Sequence, residues 1–298
     1  MSAGTFPEGA AQDFANQDPA LLAALRGNVA AALAEDLGDG DRTAGLLDPD
    51  RRVRAQLIVR EAAVLCGIAW FDAVLRAVDP RLRSHWQFAE GALLAPGATV
   101  CLLEGSARSL LTAERGALNF LQLLSGVATA TQRYVQAVRA VPGARARILD
   151  TRKTLPGLRL AQKYAVRVGG GDNQRLGLYD AILIKENHIA AAGSIAAALR
   201  AAAGAGVPVQ IEVESLEQLG QALEAGAASI LLDNFDLAGL RAAVALTAGR
   251  ALLEASGGVN LQTVQDIAAT GVDRISIGAL TKDVRATDYS LRVLADAA

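Results

Sequence analysis

The sequence predicts an α/β protein in which a parallel sheet covered by helices follows a smaller α+β region. Three observations support this class. The chain has 298 residues, 52% hydrophobic and 20% charged, which provides enough apolar surface for a large core. Short apolar runs alternate with helical segments through the second half. Most of these runs finish beside a charged residue.

The first half combines helical and alternating patterns that are typical of an α+β unit. Residues 1–18 resemble a leader, and the spacing of apolar residues predicts a helix from Pro19 to Leu37 that ends at Gly38. Further along the chain we expect strands over 52–65, 82–88 and 98–104 and helices over 68–78 and 110–124, the last stopping at Ser125-Gly126.

These patterns define the expected domains. An N-terminal domain spans 19–125 and a catalytic barrel domain spans 126–284. A C-terminal helix over 285–298 is expected to pack back on the first domain.

Six apolar runs in the second half predict parallel strands, at 146–151, 180–185, 207–213, 228–234, 251–256 and 273–278. The residues expected to end them are Asp150, Lys185, Glu212, Asp233, Glu254 and Gly278. Because strand carboxyl ends converge in a (β/α) barrel, this pattern favours a barrel with fewer than the usual eight strands. A doubly wound open sheet is the alternative.

Composition excludes several classes of protein. The net charge is −2 and no run of Lys or Arg reaches five residues, which argues against nucleic-acid binding. Cys66 and Cys101 are the only cysteines, so neither a disulfide framework nor a zinc site is expected. No signal peptide or apolar membrane span is recognisable, and we expect a cytoplasmic protein. No P-loop or strand-linked dinucleotide fingerprint is present, so a cofactor bound by either motif is not expected.

The segment after the first parallel strand predicts an anion site. Thr151, Arg152 and Lys153 follow the strand directly, and a helix start near Pro156 would add to the positive field. Three successive glycines at 169–171 allow close backbone approach to a ligand, although such a motif also occurs in flexible loops. Arg175, just beyond them, can bind a carboxylate or phosphate through two parallel hydrogen bonds.

The next strand ends carry further candidates. Lys185 closes an apolar strand and can serve in anion binding or as the amine of a Schiff base. His188 is a candidate base, although a structural role is more common for a lone histidine. Glu212 and Asp233 end neighbouring strands and predict Mg²⁺ or hydroxyl binding, with Glu214 as a weaker rival.

Small residues follow the last two strands, at Ser256, Gly257 and Gly258 and at Ile277, Gly278 and Ala279. Glycine-rich turns at these places are typical of a phosphate site built from the last loops of a barrel. Together with the cations, they predict a phosphorylated sugar and a second anionic substrate.

The chain resembles the quinolinate phosphoribosyltransferase family, the decarboxylating nicotinate-nucleotide pyrophosphorylases, over about residues 20 to 290. The resemblance is carried by EDLGDGDRT (35–43), TAERGALNFLQLLSGVAT (112–129), DTRKTLPGLR (150–159), GGGDNQRLGL (169–178), LIKENHI (183–189), IEVESLEQL (211–219), LLDNF (231–235), LEASGGV (253–259) and SIGALT (276–281). Several of these motifs are long, and together they are specific.

This resemblance implies an N-terminal open-faced α/β sandwich, an incomplete TIM-like (β/α) barrel and a head-to-tail homodimer. It implies a pentosyltransferase of de novo NAD biosynthesis that uses Mg²⁺ and needs no organic cofactor. Quinolinate and phosphoribosyl pyrophosphate (PRPP) would give nicotinate mononucleotide, pyrophosphate and CO₂.

The resemblance also implies a role for each matching residue. Arg115 would reach the partner subunit's site, while Thr151, Arg152 and Arg175 hold the pyridine carboxylates. Lys153 and Lys185 would face the carboxylates and the pyrophosphate, and Glu212 and Asp233 would bind ribose hydroxyls and Mg²⁺, directly or through water. The 5′-phosphate would lie among the six small residues of the last two loops: Ser256, Gly257, Gly258, Ile277, Gly278 and Ala279.

One position departs from the family. Gln174 stands where the family usually has His, and a glutamine can donate a hydrogen bond to a carboxylate but carries no charge.

Three alternatives remain at this stage. They are a phosphoribosyltransferase for another pyridine acid such as nicotinate, a Schiff-base aldolase using Lys185, and a non-catalytic ligand-binding paralogue.

Overall fold

The computed structural model describes residues 18–294, which form two compact units. Within the described residues, the first unit comprises 18–129, 156–169 and 284–294, and the second comprises 130–155 and 170–283. No helix among residues 18–294 is long and apolar enough to cross a membrane.

The first unit is built on a four-stranded antiparallel sheet of order β12-β1-β5-β3. Its elements are α1 (Pro19–Leu37), β1 (Arg52–Val59), β2 (Ala63–Val64), α2 (Ile68–Val78), β3 (Arg83–Trp86), β4 (Leu93–Leu94), β5 (Thr99–Ser106), the part of α3 (Ala107–Arg139) up to residue 129, α4 (Arg159–Val168) and β12 (Tyr289–Val293). Strand β1 alternates exposed and buried side chains, as expected for a sheet with one face in the core. The predicted bounds of α1 and α2 are confirmed.

The predicted end of a helix at Ser125-Gly126 is wrong, because α3 continues without a break to Arg139. Gly126 serves close packing, since a Cβ there would overlap the backbone oxygen of Arg285. Ser125 exchanges two hydrogen bonds with the backbone of Cys66. A glycine costs a helix about 1 kcal/mol relative to alanine, which this close approach offsets.

The predicted C-terminal helix over 285–298 is also wrong within the described residues. Residues 289–293 form β12, which pairs antiparallel with β1, Ala55 opposite Val293 and Val59 opposite Tyr289. The segment does return to the first unit, but as an edge strand. Residues 295–298, like most of the expected leader, lie outside the described residues.

The second unit contains six parallel strands connected through helices, as predicted. Its elements are the rest of α3, β6 (Arg147–Leu149), β7 (Ile182–Ile184), α5 (Glu186–Ala192), α6 (Ile195–Ala202), β8 (Val209–Val213), α7 (Leu216–Glu224), β9 (Ser229–Asp233), α8 (Leu237–Thr247), β10 (Leu252–Ser256), α9 (Val264–Ala268), β11 (Arg274–Ser276) and α10 (Ala279–Lys282).

The strand order is β6-β11-β10-β9-β8-β7. The first strand of the unit pairs with the last, Ile148 opposite Ile275, which is the pairing that closes a barrel. Described residues of β6 and β7 form no ladder with each other. This order is that of an incomplete barrel opened between its first two strands, and it excludes the doubly wound alternative, in which early strands lie in the middle of the sheet.

Candidate active site

Hydrogen bonds to Asp150 attach the loop over 169–175, called the glycine loop below, to the end of β6. The Asp150 carboxylate is fully buried and accepts hydrogen bonds from Asn173 Nδ2 at 2.6 Å and from the backbone N–H of Gln174 at 2.9 Å. Asp172 adds a single parallel bridge to Leu149. Asp150 is therefore a structural carboxylate that fixes the loop bearing Gln174 and Arg175.

Arg152 and Arg175 form a pair of neighbouring cations. Burial and the positive charge of Arg152 lower the pKa of Arg175. The Nε atoms of both arginines are buried, and neither has a hydrogen-bond partner among residues 18–294. Two partly desolvated guanidinium groups this close repel each other unless an anion binds both. The arrangement is therefore suited to binding an anion.

Lys153 lies beside the end of β11. Its backbone N–H donates to Thr151 Oγ1 at 3.0 Å, and its carbonyl accepts from Thr281 Oγ1 at 2.8 Å. A Cβ placed on Gly278 would lie 3.1 Å from Lys153 Cδ and 3.9 Å from Lys282 Cε. The absence of a side chain at Gly278 thus leaves room for Lys153. Lys282 also lies near Gly278, and it was not predicted from the sequence although it is only three residues beyond Ala279.

Lys185 and Glu212 form an ion pair. Lys185 Nζ lies 2.9 Å from Oε1 and 2.7 Å from Oε2 of Glu212, whose side chain is only 9% exposed. A Schiff base needs an amine that is free to attack a carbonyl, whereas Lys185 Nζ is held against both oxygens of Glu212, so the structure does not support the aldolase alternative. His188 Nδ1 accepts the backbone N–H of Lys185 at 3.0 Å, which gives His188 a structural role at the start of α5.

Asp233 ends β9 and lies opposite Ser256, the last residue of β10. Asn234 Nδ2 donates to Asp233 Oδ2 at 3.0 Å. Gly257, with φ of 101°, approaches this asparagine so closely that a Cβ would overlap Asn234 Oδ1. The turn after β10 therefore requires glycine and presents backbone where another residue would present a side chain.

Glu212 and Asp233, the predicted metal ligands, suit an ion that is also bound by substrate better than an ion bound by protein alone. Among residues 18–294 no group of three or more His, Cys, Asp or Glu side chains is placed to hold a metal. Glu212 and Asp233 nevertheless supply oxygen atoms on neighbouring strands, and Mg²⁺ commonly takes one or two carboxylates plus substrate phosphates and water. Glu214, the weaker rival, lines a pocket of about 180 Å³ together with Glu186 and Glu212. The two carboxylates thus fit an ion completed by substrate.

Glu254 is not at a strand end, which corrects the expectation from the sequence. It lies in the middle of β10 and is 1% exposed. Burial raises its pKa, which the amide of Gln210 opposes. Gln210 was not predicted from the sequence, although it lies two residues before Glu212 and so shares its face of the strand.

The remaining predicted residues differ in what they offer a ligand. Ile277 is a large side chain in the core, and its backbone N–H donates to the carbonyl of Leu149. Of the three residues after β11, Gly278 and Ala279 therefore remain to present backbone at the turn. Arg115 belongs to the first unit, exposed on α3. The other predicted residues all belong to the second unit, at or near the carboxyl ends of its strands.

Comparisons with known proteins agree on one family. Residues 41–125 and 127–292 match the family models described as the N-terminal and C-terminal domains of quinolinate phosphoribosyl transferase. The nicotinate-nucleotide pyrophosphorylase (carboxylating) of Mycobacterium leprae is 44% identical over 280 residues, 90% of this chain and 96% of that relative. A probable nicotinate-nucleotide pyrophosphorylase (carboxylating) of Bacillus subtilis is 41% identical over 262 residues, 87% of this chain and 90% of that relative. The solved nicotinate-nucleotide pyrophosphorylase of Francisella tularensis superposes with a TM-score of 0.88 at 43% identity, covering 91% of this chain and 96% of that structure.

Proposed function

This chain belongs to the quinolinate phosphoribosyltransferase family, and on that premise we propose that the carboxyl ends of its parallel strands carry out the family's reaction. Phosphoribosyl is transferred from PRPP to quinolinate with decarboxylation, giving nicotinate mononucleotide, pyrophosphate and CO₂ for NAD biosynthesis.

The observation that carries this proposal is the Arg152–Arg175 pair. Two adjacent guanidinium groups with buried, unpartnered Nε atoms suit a ligand with more than one negative group, such as a pyridine dicarboxylate. A pyridine monocarboxylate would neutralise only part of this charge. The pair therefore favours quinolinate over nicotinate.

The other strand ends divide between the pyrophosphate and the ribose. Lys153 and Lys185 are proposed to face the substrate's carboxylates and its pyrophosphate, and Thr151 to assist at the carboxylates. Glu212 and Asp233 are proposed to accept hydrogen bonds from ribose hydroxyls. The 5′-phosphate would lie against Ser256 and the backbones of Gly257, Gly258, Gly278 and Ala279.

The chemistry requires groups that stabilise charge rather than a nucleophile. Pyrophosphate leaves ribose carbon 1 as the pyridine nitrogen attacks, and Lys153 stabilises the developing negative charge on the leaving group. The arginine pair holds the ring in line with carbon 1, which converts an encounter of two anions into an oriented reaction. The pyridinium nitrogen so formed withdraws electrons, which allows the 2-carboxylate to leave as CO₂, and the electron pair left on ring carbon 2 takes a proton from water. Mg²⁺, held by Glu212 and Asp233 with substrate oxygens, would supply further charge neutralisation.

The decisive experiment is an assay of the purified chain with PRPP, Mg²⁺ and either quinolinate or nicotinate, in which nicotinate mononucleotide and CO₂ are measured. Product from quinolinate alone is expected. Product from nicotinate alone would show that the arginine pair does not select a dicarboxylate. Folded protein that is silent with both would support a ligand-binding paralogue.

We further propose that the chain acts as a homodimer in which Arg115 completes the partner's site. Its support is the family resemblance and the exposure of this cation on α3. Arg115→Ala and Lys153→Ala should each be inactive alone, and mixing them after mild dissociation should restore a fraction of the activity. No recovery from a verified mixed dimer would place Arg115 in its own subunit's site.

The proposed compartment is the cytoplasm. Its support is that Cys66 and Cys101 are buried free thiols, as is usual where thiols stay reduced.

A further inference from the structure

A chain of hydrogen bonds connects Gln174 to a carboxyl group inside the parallel sheet. Gln174 Nε2 donates to Gln210 Oε1 at 3.1 Å, and Gln210 Nε2 donates to Glu254 Oε2 at 2.9 Å. Gln210 is 8% exposed and Glu254 is 1% exposed. These hydrogen bonds therefore run from the glycine loop into the interior of the second unit.

The sheet register explains how these side chains meet. Glu212 and Glu254 both lie opposite Leu231 of β9, which places the two glutamates at the same level on either side of it. Gln210 precedes Glu212 by two residues, so it projects from the same face, one step nearer the amino end of β8. Gln210 thus lies one step further from the carboxyl end of the strand than Glu212, the predicted ribose-binding residue. Its side chain crosses β9 to contact Glu254.

The Glu254 carboxyl group determines which amide atoms donate and which accept along this row of hydrogen bonds. A glutamine amide has a donor end and an acceptor end of nearly equal size, so packing alone does not fix which way it faces. Glu254 Oε2 accepts a hydrogen bond, which turns the Gln210 nitrogen toward it and the Gln210 oxygen toward Gln174. That oxygen in turn fixes the Gln174 nitrogen as a donor.

We propose that Gln210 and Glu254 are positioning residues that orient the Gln174 amide as a hydrogen-bond donor to a carboxylate of the pyridine substrate. One N–H of the Gln174 nitrogen goes to Gln210, and the same nitrogen carries a second N–H. A glutamine with the opposite orientation would present its carbonyl oxygen, which repels a carboxylate. The inference rests on the proposed function, since it assigns Gln174 a substrate.

The test is Glu254→Gln, which keeps the volume and replaces the carboxyl group with an amide. An amide at 254 can donate to Gln210, and the two glutamines can then reverse. We expect the KM for quinolinate to rise about 5- to 10-fold, the effect of roughly one hydrogen bond, with the KM for PRPP and the kcat within about twofold of the parent. Glu224→Gln, the same change on the exposed face of α7, should alter none of these values.

A double-variant cycle separates positioning from general damage. In a Gln174→Ala background, Glu254→Gln should have no further effect on the KM for quinolinate, because the side chain it orients is gone. An equal rise in both backgrounds, or an unchanged KM in folded Glu254→Gln, would overturn the inference.

A second variant covers the case in which Glu254→Gln does not fold. Gln210→Met removes both amide hydrogen bonds at similar length, and it should raise the same KM; a folded Gln210→Met with the parental KM would also overturn the inference. A parent chain that neither binds nor converts quinolinate would overturn the proposed function together with this inference. A normal parent with normal variants would overturn the inference alone.

Discussion

Two partly buried polar regions of this molecule satisfy their hydrogen bonds very differently. In the first unit, the Glu90 carboxylate accepts from the backbone N–H of Gly67 at 2.7 Å and of Ile68 at 3.1 Å, and from Tyr164 Oη at 3.1 Å. In the second unit, the Nε atoms of Arg152 and Arg175 are buried and have no partner among the described residues.

This contrast separates stability from function. Glu90 binds the first N–H groups of α2 and a side chain of α4, so its contacts are complete without a ligand and hold elements together. The arginine pair is incomplete, and its unmet hydrogen-bonding capacity is available to a substrate. Variants at the first region should therefore change unfolding, and variants at the second should change turnover.

The largest expected effect is that of Lys153→Ala. The hydrogen bonds of residue 153 to Thr151 and Thr281 use its backbone, so alanine keeps them while removing the ammonium group. Turnover of quinolinate should fall by about 1,000-fold with an unchanged thermal unfolding midpoint. Turnover like that of the parent would remove Lys153 from the site.

Arg152→Met should come next. It removes one member of the pair and relieves repulsion at Arg175, so we expect the KM for quinolinate to rise about 10- to 100-fold, equivalent to about 1.5–3 kcal/mol, without loss of folding stability. Steady-state kinetics and urea unfolding check this expectation, with exposed Arg241→Met as the matched control. If Arg152→Met instead lowers the free energy of unfolding and leaves the KM for quinolinate unchanged, Arg152 stabilises the fold rather than binding substrate.

Glu90→Gln should show the opposite pattern. The new amide faces N–H donors with one oxygen instead of two, and the free energy of unfolding should fall by about 2 kcal/mol while the KM for quinolinate is unchanged. The control is Glu104→Gln, whose side chain is 47% exposed in the same unit. A changed KM at parental stability would contradict the division drawn here.

The smallest expected effect is the pH dependence of the stability that Glu90 contributes to the first unit. Burial raises the pKa of Glu90 above its ordinary value of 4.5, so the folded chain keeps a proton that the unfolded chain has lost. Its contribution to stability is therefore complete below pH 4.5 and declines as pH rises through the folded pKa. The stability advantage of the parent over Glu90→Gln should shrink over that range in urea unfolding at several pH values. An advantage that grows with pH would show that the helix N–H groups dominate the pKa instead.

Local patterns predicted most of the fold. The alternation of strands and helices in the second half, and the helices of α1 and α2, are confirmed because they depend on periodicity within short segments. Gly126 was misread because a glycine that ends a helix and one that admits a crossing backbone look the same in sequence. Strand β12 was missed because its five residues gain their conformation from pairing with β1, which lies more than 200 residues earlier.

The residues of the candidate site were also predicted only where a local motif contains them. Motifs identified Arg152, Lys153 and Arg175, but no motif relates Gln210 to Glu254, 44 residues apart. Their contact depends on the order of three neighbouring strands, which only the folded sheet establishes. The pairing of Lys185 with Glu212 was invisible for the same reason, although both residues were predicted separately.

The pairing of β12 with β1 also bears on how the chain is made. Strand β1 emerges from the ribosome more than 200 residues before β12, the strand that pairs with its outer edge. Until β12 has been synthesised, that edge carries unpaired backbone groups able to bind another nascent chain. The sheet of the first unit is therefore completed only after the second unit has been synthesised, and a variant that lacks residues 289–298 should aggregate during expression.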